Sequence, residues 1–280
     1  MSGSKGTPFS QKNINSLTNT CVKVRKQGEY RYSSSPLGKR IDIYETSETE
    51  DDYSGLFYKF IPSKKGQLSS PGKLYALKIP GIKNTSNKEG LISVNDSFPV
   101  EWVQIKDPSA KSIKTKIQGK NDNASIFNGG EGIIFTNDKD STTNIFFTCK
   151  RGGKAGLGQI WKYSPSKSKI SLFYESDNVN NLWEGDNINI TPWGDLIICE
   201  DNGSNACKLI GCTPNGTLYP LGRVAGNSSS EIAGICFSPD GQNMYLNIQE
   251  EGKTIVVSGD WTKIREFRDG LDSNKVHYEI

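Results

Sequence analysis

Apolar residues along this chain fall in short runs, and the runs are separated by turns that contain glycine and proline. Three of these turns share one design, and a run of β-forming residues follows each one. They are Thr191-Pro192-Trp193-Gly194, Thr213-Pro214-Asn215-Gly216 and Ser238-Pro239-Asp240-Gly241. Proline fits the second position of a type I turn because its ring fixes φ, and glycine is favoured at the fourth position. Turn-and-strand units at regular spacing predict an all-β meander.

An acidic residue begins each of three successive groups of strands, namely Glu131, Asp186 and Glu231. Each group has roughly the length of a four-stranded propeller blade, about 40–50 residues. The innermost strands of a propeller face a shared channel, so the three acids would converge on its axis. Like charges held close together require a cation, and oxygen ligands without imidazole suit calcium. The alternative, which spacing alone favours, is that these acids cap turns or lie on the rim.

Composition narrows the chemistry that the chain can perform. The 280 residues carry a net charge of +3 with both signs interspersed, which gives no reason to expect nucleic-acid binding. The single histidine, His277, and the absence of a G-x-S-x-G motif argue against a histidine-based triad. The six cysteines form no C-x-x-C pair, and no apolar run reaches the ~18 residues of a membrane span. Metal ions held by carboxylates are the chemistry that remains.

An ordered series of motifs then points to a family. The motifs are EGIIF, CKRGGKAGLGQIWKY, DNINITPWGDLIICED and SEIAGICFSPDGQNMYLNIQ, in this order. The series closely resembles the PhoX-type alkaline phosphatases, which are calcium- and iron-dependent phosphatases built on a β-propeller. The resemblance runs from about Arg40 to Trp261 and covers the C-terminal part of the family's longer domain. It implies a phosphomonoester substrate and, as cofactors, calcium and iron.

The resemblance also implies roles for individual residues. Glu131 matches a family metal-ligand glutamate and is the candidate catalytic residue, Asp186 and Asn187 match calcium ligands, and Glu231 matches a further acidic ligand. Asp51 or Asp52 matches another acid of the site, with an exposed acidic loop as the alternative. Two further acids, Glu200 and Asp201, follow one another in the CEDN motif. Either they lie next to the metal ligands and hold them in place, or they are turn residues at the end of a strand.

One departure from the family pattern bears on activity. The family usually carries arginine two residues before the EG glutamate, where its planar fork of donors can hold phosphate oxygens. Here that position is Gly129. The family's cysteine and lysine site residues belong to an earlier part of the domain, so iron binding is also in doubt. We therefore expect weak or no phosphomonoesterase activity, and the alternative function is a non-catalytic calcium-binding propeller or interaction module.

The predicted organisation is an all-β, partial or open β-propeller of about three to four blades. Residues 1–39 form a polar lead-in, residues 40–262 form the blades, and residues 263–280 form a polar tail without a helical period. Closed propellers have about 4–8 blades, so a complementing N-terminal fragment or an oligomer is the expected partner. The first residues contain no apolar segment and hence no secretory signal, whereas members of the family are commonly exported. This leaves the compartment open.

Overall fold

Antiparallel sheets that follow one another along the chain make up most of the structure. The computed structural model describes residues 22–24, 30–32, 43–46, 54–64, 66–137, 143–203, 206–225 and 229–274. Within these residues there are four sheets of three or more strands, and no helix is long and apolar enough to span a bilayer. The prediction of an all-β, open propeller is confirmed.

The first two sheets are built from residues 43–175. A two-stranded ribbon precedes them, formed by β1 (Val22–Val24) and β2 (Tyr30–Tyr32). The first sheet contains, in spatial order, β3 (Ile43–Thr46), β4 (Ser54–Pro62), β5 (Gly72–Lys78) and β7 (Glu101–Ile105), and β8 (Ile126–Asn128) pairs with the start of β4. The second contains β9 (Gly130–Asn137), β10 (Thr143–Cys149), β11 (Gln159–Ser164) and β12 (Lys169–Glu175), with β6 (Ser97–Pro99) along its outer edge.

The last two sheets follow the same plan. The third contains β13 (Gly185–Ile190), β14 (Leu196–Glu200), β15 (Lys208–Cys212) and β16 (Leu218–Arg223). The fourth contains β17 (Ile232–Phe237), β18 (Asn243–Ile248) and β19 (Lys253–Ser258). The helices of the described residues are α1 (Thr115–Asn121), α2 (Thr262–Asn274) and a short 3-10 helix (Pro165–Lys167).

The three predicted turns form as expected. In each turn the amide of the fourth residue donates to the carbonyl of the first, at 3.0 Å for Gly194, 2.9 Å for Gly216 and 2.8 Å for Gly241. These turns join β13 to β14, β15 to β16 and β17 to β18. Turn chemistry therefore fixed three of the hairpins from which the third and fourth sheets are made.

Most of the hydrophobic core lies between successive sheets. Phe57 of β4 and Phe147 of β10 stack with ring centroids 4.5 Å apart in the core between the first and second sheets. Strand β14 contributes to two cores, because Ile198 faces the second sheet while Ile197 faces the fourth. The innermost strands also meet: β13 lies against both β9 and β17, and β9 lies against β3. Sheets stacked face to face around their inner strands are the arrangement of propeller blades.

Some elements lie where the sequence predicted none. Strands β1 and β2 fall in the polar lead-in, α1 falls among the residues predicted to form blades, and α2 occupies most of the first part of the predicted tail. The inward face of α2 is formed by Ile264, Arg268 and Leu271, which are less exposed than their neighbours. Because the charged Arg268 lies in the middle of this face, the apolar residues of the helix do not recur at a regular helical spacing in the sequence.

Candidate metal centre

The inner strands bring acidic residues to one end of the sheets. Glu131 is the second residue of β9, Asp186 is the second residue of β13, and Glu231 directly precedes β17. Since neighbouring strands are antiparallel, the ends of β10 and β14 lie at the same end, where Cys149 pairs with Gly130 and Glu200 pairs with Gly185. Residues just beyond β10 and β14 therefore join the same region as the three acids.

A glycine allows β9 and β13 to approach each other very closely. A Cβ atom at Gly132 would collide with the carbonyl oxygen of Asp186. The hydroxyl of Thr148 fills the remaining gap: it accepts a hydrogen bond from the Gly132 amide at 2.7 Å and donates one to the Asp186 carbonyl at 2.7 Å. Glu131 and Asp186 are consequently held on adjacent strands at the point where these strands touch.

Asn187 connects the third sheet to the fourth. Its side-chain Nδ2 donates to Asp186 Oδ1 at 2.7 Å, and its Oδ1 accepts the backbone N–H of Gly234 at 2.7 Å. Both ends of the amide are thus engaged. In this geometry Asn187 orients the Asp186 carboxylate and ties β17 to β13, whereas its predicted role as a calcium ligand stays a prediction.

Three carboxylates converge at this end. Asp186, Asp201 and Glu231 each offer an oxygen, and the three oxygens lie within 4.8 Å of one another. Asp186 and Glu231 are buried, at 5% and 8% exposure, and Asp201 is half-buried. Oxygens that share a calcium ion at about 2.3–2.6 Å lie no more than about 5 Å apart, so the spacing fits one coordination shell. We call these three residues the carboxylate cluster.

The donor chemistry of the cluster suits a hard divalent cation. All three donors are carboxylate oxygens, which calcium prefers. The thiol of Cys199 lies near the cluster, but burial, followed by the charges of Asp186 and Glu231, raises its pKa well above the ordinary value. Cys199 is therefore a neutral thiol and not a thiolate ligand.

Electrostatics show that the cluster carries more negative charge than its surroundings balance. The ammonium of Lys150, immediately after β10, lies 2.5 Å from Asp201 Oδ2. Burial, followed by the charges of Asp186 and Asp201, raises the pKa of Glu231 to about 8, against the opposing charge of Lys150. Without a cation, a proton on Glu231 relieves the repulsion. A divalent cation would do the same and allow all three carboxylates to ionise.

The side chain of Arg151 lies against Gly129, the position at which the sequence offered no arginine. A Cβ at Gly129 would be 3.4 Å from Cγ of Arg151, so the arginine side chain passes directly over this glycine. Arg151 NH1 donates to Glu184 Oε1, and the indole Nε1 of Trp183 donates to the same oxygen at 3.2 Å. The Arg151 side chain is 39% exposed and therefore remains accessible to a ligand.

Glu184 links this arginine to the cluster. It is buried with φ of 53°, a left-handed backbone conformation that is uncommon for a residue other than glycine. Its carbonyl accepts the N–H of Asp201 at 3.1 Å. Burial raises the pKa of its carboxyl, against the opposing charges of Arg151 and Lys150. Unusual backbone conformations that the surrounding structure maintains are typical of functional sites.

The remaining acids named from the sequence have other positions. Glu131 is not part of the carboxylate cluster, and its charge acts on the buried thiol of Cys149. Glu200 is fully buried and accepts the backbone N–H groups of Trp183 at 2.7 Å and Lys208 at 2.9 Å. Asp51 and Asp52 lie outside the described residues. From the sequence, Asp201 was expected only to support the site or to end a strand, and no role was assigned to Arg151.

Comparisons with known proteins identify the family. The search of curated proteins gave no match. Among solved structures, a crystal structure of a protein from Lactobacillus plantarum aligns at 11% identity and a TM-score of 0.35, covering 79% of this chain and 68% of that one. A similarity at this level supports no inference about function. The sequence matches the family described as Alkaline phosphatase PhoX over residues 18–252, which begins upstream of the motifs discussed above. The chain therefore belongs to the PhoX alkaline phosphatase family, a family of metal-dependent phosphatases.

Proposed function

We propose that this protein is a calcium-dependent phosphomonoesterase whose metal centre is the carboxylate cluster. The observation that carries the proposal is the convergence of Asp186, Asp201 and Glu231, which come from three separate segments, within 4.8 Å. Membership of the PhoX family supports phosphoester chemistry. The all-oxygen donor set favours calcium over iron, because the cluster contains neither imidazole nor thiolate.

The residues of the cluster would hold the ion, and their neighbours fix the cluster in place. Asn187 sets the orientation of the Asp186 carboxylate, and Lys150 compensates part of the charge of Asp201. When bound, a divalent cation at this position neutralises phosphate charge and polarises a phosphoryl oxygen. The protein contributes a preformed set of donors, so that little reorganisation is needed on binding.

Arg151 is the proposed phosphate-binding residue. Its guanidinium presents five N–H donors in a planar fork, and Glu184 engages NH1. Such a fork suits the paired oxygens of a phosphate. The expectation of weak activity rested on the missing arginine at Gly129 and on site residues that the family carries in an earlier part of its domain. Arg151, from the segment after β10, lies with its Cγ against Gly129 and offers a partly exposed guanidinium in this region. We therefore propose an active enzyme rather than an impaired one.

Glu131 is the proposed general acid or base. It begins β9 beside the contact between Gly132 and Asp186, on the strand adjacent to the cluster. A carboxylate next to a metal centre can accept or donate the proton of an attacking or leaving oxygen. This role is separable from metal binding, since Glu131 lies outside the carboxylate cluster.

Calcium binding tests the metal centre. Calorimetric titration of the full-length protein should show a calcium site that Asp201→Asn and Glu231→Gln each weaken by at least about tenfold, because each removes a charged ligand. Glu101→Gln neutralises an exposed carboxylate on β7 and serves as the matched control. Unchanged calcium affinity in both cluster variants would refute the proposed centre.

Turnover of 4-nitrophenyl phosphate tests the activity. We expect calcium-dependent hydrolysis, with kcat reduced in Glu131→Gln while calcium affinity is kept. In Arg151→Gln we expect a fall in kcat/KM of about 100-fold or more. Arg265→Gln, on the exposed face of α2, is the control. Calcium binding without turnover in the unaltered protein would favour the alternative, a non-catalytic calcium-binding propeller.

A further inference from the structure

A cavity of about 490 Å³ lies at the same end of the molecule as the carboxylate cluster. Its lining includes Val179, Trp183 and Ala206. It also includes the fully buried Glu200 with Lys208, which we call the base, and the exposed Arg223, which we call the rim. These residues come from the segment before β13 and from the ends of β14, β15 and β16 that face the cluster. The volume is within the range of small-molecule sites, about 300–1,000 Å³. We call it the Trp183 cavity.

The charges at the base of the Trp183 cavity are already satisfied. Lys208 Nζ lies 3.3 Å from Glu200 Oε1 and donates to the carbonyls of Val179 at 2.8 Å and Asn180 at 2.7 Å. Glu200 in turn accepts the two backbone N–H groups described above. Because the two opposite charges compensate each other and their hydrogen-bonding capacity is used, the base does not attract a bare ion. An uncharged group with a large apolar face is what these surroundings favour.

The wall of the cavity is directly connected to the proposed phosphate site. Trp183 Nε1 and Arg151 NH1 donate to the same oxygen of Glu184. Two nitrogens that share one acceptor are separated by no more than about two hydrogen-bond lengths, roughly 6 Å. A phosphoryl group held by Arg151 would therefore have its ester substituent beside the indole ring.

The charge around the mouth favours anionic molecules. Arg151 lies at one side, and the exposed Arg223 lies at the rim. Among the residues that the structure describes, the guanidinium of Arg223 forms no ion pair or side-chain hydrogen bond. A flat ring carried by an anion matches both features, since indole faces stack with aromatic rings and the guanidinium groups attract the charge.

We propose that the Trp183 cavity binds the aromatic leaving group of the phosphomonoester, so that the enzyme prefers aryl and nucleoside phosphates to aliphatic ones. This inference rests on the proposed function for the position of the phosphate. The stacking surface is the indole ring of Trp183, and stacking on this ring does not depend on the metal.

The test measures binding rather than turnover, with two sets of probes. In the presence of calcium, AMP should bind the full-length protein carrying Glu131→Gln, which slows hydrolysis of the probe, about tenfold more tightly than ribose 5-phosphate, as expected for one base stacked on an aromatic side chain. Trp183→Leu should remove this difference and leave the affinity for inorganic phosphate unchanged. Trp183→Phe, which keeps an aromatic face, should retain part of the difference. Tyr245→Leu alters an exposed aromatic residue on the fourth sheet and is the control.

The second set of probes separates this inference from the proposed function. Adenosine, which carries no phosphate, should bind in the presence of a chelator and lose its affinity in Trp183→Leu. If adenosine binds, but calcium does not raise the affinity for phosphate or AMP, the cavity inference is supported and the proposed function is refuted. If phosphate binds in a calcium-dependent manner but AMP binds no better than ribose 5-phosphate, or adenosine does not bind at all, the cavity inference is overturned. Circular dichroism of each variant establishes that it is folded.

Discussion

At the scale of single residues, Glu231 shows how the fold creates a site that attracts cations. The residue is nearly buried, and two other carboxylates surround it. Burial and these neighbours raise the pKa of its carboxyl from 4.5 to about 8. Arg151 shows the complementary case, in which an exposed cation lies close to a position that lacks a side chain. Both residues owe their chemistry to segments distant in the sequence.

The raised pKa of Glu231 predicts a stability that depends on pH in the absence of metal. The folded state keeps the proton between about pH 4.5 and pH 8, whereas the unfolded state releases it. The contribution of this proton to stability is complete below pH 4.5 and is lost as the pH rises through about 8. The glutamine side chain in Glu231→Gln cannot ionise. When a chelator removes calcium, this variant should therefore become more stable than the unaltered protein as the pH rises.

Denaturant unfolding between pH 5 and pH 9 measures this difference. Added calcium should restore the stability of the unaltered protein at pH 8 and have little effect on Glu231→Gln. The exposed Glu101→Gln is the control and should follow the unaltered protein at every pH. A difference between Glu231→Gln and the unaltered protein that stays constant over this range would contradict the prediction.

At the scale of elements, the contact between β9 and β13 positions the centre. Gly132 permits the two strands to touch, and Thr148 bridges them with two hydrogen bonds. On the other side of β13, Asn187 and Asn189 donate or accept hydrogen bonds with the backbone of β17. The inner strands are therefore joined to each other by side chains, although they belong to different sheets.

A methyl group at Gly132 should force β9 away from β13. We expect Gly132→Ala to lower the free energy of unfolding by about 1–3 kcal/mol, the usual cost of overpacking, and to weaken calcium binding by moving Asp186. Gly222→Ala is the matched control, because a Cβ at Gly222 in β16 meets no atom within 4 Å. Calorimetric unfolding and calcium titration measure the two effects. Equal stability and affinity in both variants would show that the strands are free to separate.

At the scale of the whole molecule, each sheet is stable only against its neighbours, and α2 adds a further connection. This helix follows the fourth sheet and returns to the third, where Arg268 Nε lies 3.5 Å from Asp195 Oδ2. Asp195 is fully buried and also accepts hydrogen bonds from Tyr219 at 2.7 Å and Trp193 at 3.0 Å. The carboxylate thus joins the β13–β14 turn, β16 and α2.

Removal of Asp195 should destabilise the protein as a whole. Asp195→Ala leaves the largely buried Arg268 with the exposed Asp269 as its ion-pair partner, and breaking a buried pair in this way costs about 3–5 kcal/mol. When Arg268 is already replaced, as in Arg268→Met, Asp195→Ala should lower the free energy of unfolding by clearly less. The reason is that no buried cation is then left without a negative partner. Denaturant unfolding of the two single variants and the double variant measures the coupling. Strict additivity would indicate that the ion pair contributes nothing.

Local sequence patterns were sufficient to predict most of the strands from residue 40 onward and the three Pro–Gly turns. Alternating burial and the Pro–Gly turns act within a few residues, so they could be read from local pattern alone. The positions of Glu131, Asp186 and Glu231 at the start of inner strands followed from the same repeat. These features depend on backbone conformation and on neighbours along the chain, which is the information that a single sequence contains.

Only the tertiary structure decided how the site is completed. Asp201 joins the carboxylate cluster and Arg151 passes over Gly129 because the ends of β14 and β10 meet the starts of β13 and β9 in space. Arg268 faces inward on α2 because Asp195, from another sheet, compensates its charge. Such contacts join residues far apart in the chain. Local pattern cannot specify them, since they depend on which sheet edges and strand ends the folded chain brings together.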